Sequence, residues 1–238
     1  MKVAVIVFPG SNCDGDAQSA LASMFAGRWG REVKGSVQRV WHKDTQLPDV
    51  DLVILPGGFS YGDYLRSGAM SARAPIMEEV RAHAARGGYV MGICNGFQIL
   101  TEAKLLPGAL IRNRDLRFIC RNVHVRVEHH RSVYSSLYQN QQVIQLPVAH
   151  HDGNFRCDEA TLNALEDGER ILFRYCDSAG RISDASNING SIGNIAGITN
   201  AKGNVLGMMP HPERACDPLT AGIEGRVTFL SLMENVVG

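Results

Sequence analysis

Cys94 is flanked by glycines two residues away on each side, in Gly92-Ile93-Cys94-Asn95-Gly96, with the apolar run Tyr89 to Ile93 before it and Phe97, Ile99 and Leu100 after it. An apolar run that passes into a helix-like pattern predicts a strand, a sharp turn and a helix. G-x-C-x-G at such a turn is the cysteine form of the nucleophile elbow, where small neighbours let the backbone bend and leave the reactive atom at the edge of a sheet. The positive end of the following helix favours the thiolate, and so nucleophilicity. A buried core cysteine is the competing reading, since free thiols usually end there, and the spacing alone leaves both open.

A nucleophilic thiol needs a base that takes its proton and returns it to the leaving group, and a further group that orients the base. Eight histidines compete for that role. His42 and His83 fall at a predicted surface strand end and on a surface helix, where structural roles suffice. His129-His130 and His150-His151 are adjacent pairs whose side chains diverge on an extended chain, so neither makes a natural two-ligand metal site. His124 alternates with Val123 and Val125 and is expected to face solvent. His211 differs, because it lies in Met209-Pro210-His211-Pro212-Glu213-Arg214, where each proline drives the residue before it toward an extended conformation. In extended geometry His211 and Glu213 point the same way, so the carboxylate can hold the imidazole in one tautomer. A rigid turn with incidental charges is the other reading. Acyl transfer also needs oxyanion donors, expected from the amide of Asn95 and one in Gly57-Gly58, taken at Gly58.

The elements that must position these residues read as alternating strands and helices. Val3 to Phe8 is a near-continuous apolar run closed by Pro9-Gly10-Ser11-Asn12. Asp14 or Asp16 is placed to cap a helix carrying Ala17, Ala20, Leu21, Met24 and Phe25, with Gly27 to end it. Arg28 to Gly35 carries no pattern. Val37 to Trp41 and Asp51 to Leu55 read as strands, the second stopped by Pro56-Gly57-Gly58, and Pro75 suits the first turn of a helix through Arg86. Such a series implies a parallel sheet with right-handed crossovers, and ligands bind such sheets at the carboxyl ends of strands. Pro9-Gly10-Ser11, Pro56-Gly57-Gly58 and Gly92 to Gly96 are therefore expected to cluster at one edge. After Leu110 the pattern changes, since Phe118 to Glu128 alternates as a half-exposed antiparallel strand. Val143 to Val148 and Ile171 to Tyr175 read as strands, Asp158 to Glu166 as a capped helix, and Ile195 to Thr199 with Val205 to Met209 as a hairpin. A final helix is expected to carry Ile223, Val227 and Leu230. The expected fold is α/β: three layers, a mostly parallel central sheet with helices on both faces, and an added antiparallel portion.

A chain of 238 residues buries a sizeable core, and without repeats or low-complexity linkers residues 1–238 are expected to form a single domain. Lys plus Arg and Asp plus Glu both number 24, which argues against a nucleic-acid footprint. Val3 to Phe8 is too short for a signal segment, no apolar stretch is long enough to cross a bilayer, and the six cysteines show no paired spacing. A reducing cytoplasm with free thiols is expected. No Walker or G-x-G-x-x-G pattern and no zinc-ligand spacing occurs, so neither a nucleotide cofactor nor a metal is expected in this chain.

Gly92-Ile93-Cys94-Asn95-Gly96-Phe97-Gln98 with the distant His211-Pro212-Glu213 resembles the class I, or triad, glutamine amidotransferases. Four further segments extend the likeness almost from end to end: Phe8 to Asp14, Leu55 to Arg66, Asn189-Gly190-Ser191 and Gly203 to Arg214. They are similar to the glutaminase components of phosphoribosylformylglycinamidine synthases. The resemblance implies that Cys94 attacks the side-chain amide of glutamine, that His211 serves as base and then acid, and that Glu213 orients His211. Ammonia leaves, and water hydrolyses a γ-glutamyl thioester. It further implies that Gln98 and Gly57 of the Gly57-Gly58 loop hold the glutamine. The ammonia would serve purine biosynthesis on a separate synthetase subunit carrying ATP and magnesium, with a small third subunit and a conduit between chains.

One segment departs from the family. Relatives commonly show His-Gly-Glu-Gly where this chain has His150-His151-Asp152-Gly153. A backbone requiring positive φ there would strain His151. Two rivals stand beside the amidotransferase reading: another elbow-cysteine hydrolase of the same fold, which Gln98 and the His-Pro-Glu segment oppose, and a non-catalytic regulatory subunit.

Overall fold

A computed structural model describes residues 1–30 and 33–237. Arg31, Glu32 and Gly238, which the single-domain reading includes, lie outside the described residues. The apolar runs of the amino-terminal part form strands β1 (Lys2–Val7), β2 (Ser36–Trp41), β3 (Leu52–Leu55) and β4 (Tyr89–Ile93). All of β3 and Val90 to Ile93 of β4 are buried, as continuous apolar strands of a covered parallel sheet should be. The remaining strands are β5 (Ala109–Ile111), β6 (Ile119–Val127), β7 (Val143–His150), β8 (Asn154–Arg156), β9 (Ile171–Cys176), β10 (Ile195–Thr199) and β11 (Val205–Met208). Nine of them make one sheet in the order β2-β1-β3-β4-β11-β10-β9-β6-β7, while β5 and β8 pair separately.

The fold is α/β with a mixed sheet. β2, β1, β3, β4 and β11 run parallel to their neighbours, and from β11 through β10, β9, β6 and β7 every pairing is antiparallel. The expected antiparallel portion thus begins inside the sheet, at the β10–β11 hairpin, and places β11 directly beside β4. That register sets Gly207 opposite Gly92. The alternation in β6 buries Val123, Val125 and Val127, and His124 is half-buried rather than solvent-facing.

Helices α1 (Asp14–Phe25), α2 (Ile76–Ala85), α3 (Asn95–Glu102), α4 (Glu159–Asp167) and α5 (Arg226–Val237) accompany the sheet. Asp158 caps α4, its carboxylate accepting the Thr161 amide at 2.8 Å, and Gly27 with φ +69° follows the end of α1. Three expectations change. Neither Asp14 nor Asp16 caps α1: Cys13 holds the N-cap position without a side-chain bond, and Asp16 instead accepts from Arg214 Nε at 2.9 Å. α5 begins only at Arg226, so Ile223 lies exposed in the loop before it, and Phe229, Leu232 and Met233 are the apolar side chains it buries. His42 and His83 are buried, not superficial: His42 Nδ1 lies 2.7 Å from the Tyr61 hydroxyl and His83 Nε2 3.2 Å from the Tyr89 carbonyl.

The placement of α3 over β4 and β11 depends on the absence of a side chain at 207. A Cβ there would sit 2.2 Å from Cδ2 of Phe97, whose ring is fully buried and stacks on Phe155 at 5.8 Å between centroids. Gly207→Ala is therefore expected to lower the unfolding free energy by about 1–3 kcal/mol, the usual range for overpacking, as read by chemical denaturation.

Candidate active site

β4 delivers Cys94 to the carboxyl edge of the sheet and α3 starts at the next residue. Cys94 has φ +51° and ψ −104°, and its amide donates to the Met208 carbonyl at 2.7 Å. Its carbonyl accepts from the amides of Phe97 and Gln98 at 3.0 and 3.2 Å, the first turn of α3. The tight entry needs glycine at 96, where a Cβ would stand 1.9 Å from the Leu55 carbonyl oxygen. Cys94 is 4% exposed, and its thiol faces the Ala149 carbonyl at 3.6 Å.

The three turn segments do cluster. The Phe59 amide donates to Gly10 at 2.9 Å and the Cys13 amide to Gly57 at 3.3 Å, so the turns after β1 and β3 form one wall beside the elbow. Gly57 faces the reactive groups, since a Cβ on it would lie 2.6 Å from His211 Cε1, 3.2 Å from Cys13 Sγ and 3.4 Å from Cys94 Cβ. Gly58 adopts φ +128°, and its N–H has no acceptor among the described residues. Asn95, first residue of α3, carries an amide that no intrahelical acceptor reaches. The two expected oxyanion donors thus stand on the two segments that border Cys94.

His211 follows β11, its amide donating to the Pro147 carbonyl at 2.8 Å. Its Nδ1 lies 2.7 Å from Glu213 Oε1, with the histidine 1% and the glutamate 4% exposed. The expectation of an extended segment does not hold: Pro212–Arg214 is a 3₁₀ turn with Pro212 at its start, and the turn brings the carboxylate back beneath the imidazole. Burial opposes the His211 imidazolium, but the Glu213 carboxylate and then the Cys94 and Cys13 sulfurs favour it, and the net result is a pKa well above the usual imidazole range. With Nδ1 donating to Glu213, Nε2 is the atom left to exchange a proton.

Gln98 is buried, and its side chain is already engaged: Oε1 accepts from Asn95 Nδ2 at 2.8 Å and Nε2 donates to the Asp152 carbonyl at 2.6 Å. It thereby ties α3 to the loop after β7. His151 in that loop has no positive φ, so the anticipated strain is absent. Asn113 knits the loop, with Nδ2 donating to the His150 carbonyl at 2.9 Å and Oδ1 accepting the Gly153 amide at 3.0 Å. The shortened acid still reaches inward, as Asp152 accepts from the Ser67 hydroxyl at 2.9 Å and pairs with Arg112 at 3.3 Å. Asp63 stands nearby, its carboxyl pushed up to about 6 by burial and by the charge of Asp152. Asp63 and Cys13 are not among the expected site residues, although both lie in segments that carry the family resemblance, Leu55 to Arg66 and Phe8 to Asp14.

Residues 1–226 match the CobB/CobQ-like glutamine amidotransferase domain. The chain belongs to that family. Phosphoribosylformylglycinamidine synthase subunit PurQ of Rhodospirillum rubrum is 56% identical over 99% of this chain and 100% of its own length. The protein of the same description from Synechocystis is 56% identical over 95% of this chain and 98% of its own length. Among solved structures, a chain of PurLQS from Thermotoga maritima matches with a TM-score of 0.84 and 39% identity over 98% of each chain. The glutaminase domain of Trypanosoma brucei CTPS, at 13% identity and a TM-score of 0.61 over 99% of this chain and 94% of that one, shares the fold.

Two outcomes follow for this amidotransferase site. A left-handed, non-glycine backbone at Cys94 stores on the order of 1–3 kcal/mol of strain. Cys94→Gly is expected to be about 1 kcal/mol more stable than Cys94→Ala by denaturant titration, because glycine tolerates that conformation. His150 is 2% exposed and its pKa falls to about 3 through burial and the neighbouring His211 charge. The folded value lies below the unfolded one near 6.5, so the folded chain binds fewer protons and loses stability as pH falls from about 6.5 toward 3. His150→Gln should flatten that loss, by up to on the order of 4 kcal/mol, in denaturation curves recorded across the acid range.

Proposed function

We propose that this chain is the glutaminase subunit of a phosphoribosylformylglycinamidine synthase, working in the cytoplasm as one amidotransferase domain over residues 1–238. The observation that carries the reading is the buried His211–Glu213 pair, 2.7 Å apart, set beside a cysteine at a strained strand-to-helix elbow. The PurQ descriptions of full-length relatives support the choice of synthase.

In this mechanism glutamine enters above the elbow and the Cys94 thiolate attacks its side-chain carbonyl carbon. The amides of Gly58 and Asn95 receive the developing oxyanion, each worth on the order of 10²–10³ in rate. His211, protonated through the favour of Glu213, gives its Nε2 proton to the departing nitrogen, and ammonia leaves a γ-glutamyl thioester on Cys94. Water, deprotonated by Nε2, then attacks the thioester and releases glutamate and the free thiol. Gly57 and Gln98 shape the glutamine subsite, Gln98 acting through Asn95 and the Asp152 loop that it bonds.

The ammonia would be used on a separate synthetase subunit, which carries the ATP and magnesium, with a small third subunit completing the assembly. Exposed apolar side chains support a partner surface at the mouth of the site: Phe59, Tyr64, Leu65, Leu116 and Phe118, with the Phe59 and Phe118 rings 6.2 Å apart. Groups of exposed aromatics and leucines of this kind mark interaction sites.

Glutamate release from glutamine, measured with and without the synthetase subunit, tests the reading. Cys94→Ala is expected to abolish release in both settings while synthesis from added ammonium salts continues in the complex. Release that survives Cys94→Ala, or synthesis lost with both nitrogen sources, would defeat it.

A further inference from the structure

Cys13 belongs to no step above, yet it is buried against the catalytic pair. One ligand atom each from Cys13, His211 and Glu213 lies within 4.8 Å of the others, and all three residues are buried. A further observation points to a ligand among them. Among the described residues, Nε2 of His211 and Oε2 of Glu213 are buried and find no hydrogen-bond partner, an uncommon state for polar atoms.

A thiolate, an imidazole and a carboxylate form the mixed sulfur, nitrogen and oxygen donor set that zinc prefers. Tetrahedral coordination with bonds of about 2.0–2.3 Å places ligand atoms about 3.3–3.8 Å apart. The donor atoms, within 4.8 Å of one another, lie at most about an ångström outside that range. Side-chain shifts of about an ångström close the cage. Arg214 Nη2 lies 3.2 Å from Cys13 Sγ and places a positive charge nearby, but its Nε is held by Asp16 at 2.9 Å, so a carboxylate offsets that charge.

We propose that Cys13, His211 and Glu213 form a site for a thiophilic divalent cation of the zinc type, whose occupancy shuts the amidotransferase centre reversibly. Sulfur, nitrogen and oxygen lone pairs make the new bonds, and no electron is transferred. The Cys13 thiol and the ligating ring nitrogen release their protons to solvent as the cation enters. Cys94 or water fills the fourth position. Binding stands on these three residues alone. Inhibition rests on the proposed roles of His211 and Glu213, because a ligating imidazole no longer shuttles a proton.

Cobalt(II) added to the metal-free full-length chain reports thiolate coordination through its charge-transfer absorption. The titration uses a Cys120→Ser, Cys157→Ser background, which removes the exposed and half-exposed thiols. The band is expected in that background and in Cys94→Ala, and is expected to vanish in Cys13→Ser. Serine is an accepted N-cap residue at the start of α1, and circular dichroism checks that the variant is folded. No band in the background protein, or a band kept in Cys13→Ser and lost in Cys94→Ala, overturns the proposal. Zinc inhibition of glutamine hydrolysis, each protein scored against its own metal-free rate, should need roughly tenfold more zinc in Cys13→Ser. Equal sensitivity overturns the inhibitory claim. A cobalt band lost in Cys13→Ser with hydrolysis indifferent to zinc would keep the metal site and defeat the assigned role of His211.

Discussion

The backbone of Cys94 is held at φ +51° by the sheet and the helix that it joins, and most of the site takes its position from that point. The Cys94 amide is fixed to Met208 of β11 at 2.7 Å and its carbonyl to the first turn of α3. Neither strand nor helix can shift without releasing the other. The elbow closes because glycines at 92, 96 and 207 let three backbone segments approach more closely than any Cβ allows. Strain on one residue is thus sustained by close packing spread over many, which is how a sparsely populated conformation persists in a folded chain. β11 anchors the thiol and, three residues past its end, supplies His211. The proposed nucleophile and base are consequently referenced to adjacent strands of one sheet.

Burial decides the electrostatics of the centre. A carboxylate and an imidazolium taken out of water lose solvation that their attraction must restore, and the His211–Glu213 contact at 2.7 Å does so with side chains that are 2% and 0% exposed. Water entering the site would weaken both this pair and the proposed oxyanion donors by raising the local dielectric. The same enclosure leaves His211 Nε2 without a hydrogen-bond partner among the described residues. In the proposed mechanism that atom serves groups that arrive and depart.

What the sequence made legible was local. Cys94 with its glycines, the capping Asp158, the hairpin at Asn200 to Asn204 and the alternating valines of β6 each follow from residues within a few positions of one another. His211 and Glu213 were legible as a pair for an incorrect reason, since a 3₁₀ turn and not an extended segment joins them. A proline sets its own φ and restricts its predecessor, but it does not say whether the chain beyond continues straight. Features that depend on distant contacts escaped. The burial of His42 comes from Tyr61, the missing cap at α1 from Asp16 turning to Arg214, and the position of Cys13 from a turn after β3. Gln98 was read as a substrate contact from the resemblance, while the fold gives both ends of its amide internal partners.

The rim of the site differs in kind from its floor. Tyr61, Asp63, Leu65 and Leu116 all carry positive φ without being glycine, and the first three lie within five residues of one loop. Leu65 is 87% exposed and Leu116 70%, so the backbone is strained where the side chains are also left in water. At the elbow, strain is sustained by packing around a buried thiol. On the rim, the free chain offers no comparable cover for these apolar groups. For the proposed glutaminase subunit, an apolar and strained rim around a closed, charged floor places the surface for a partner next to the point where ammonia is released. Ammonia that reached bulk water near neutral pH would be protonated and lose its nucleophilic lone pair, so a seal at this rim is what a second chain would contribute.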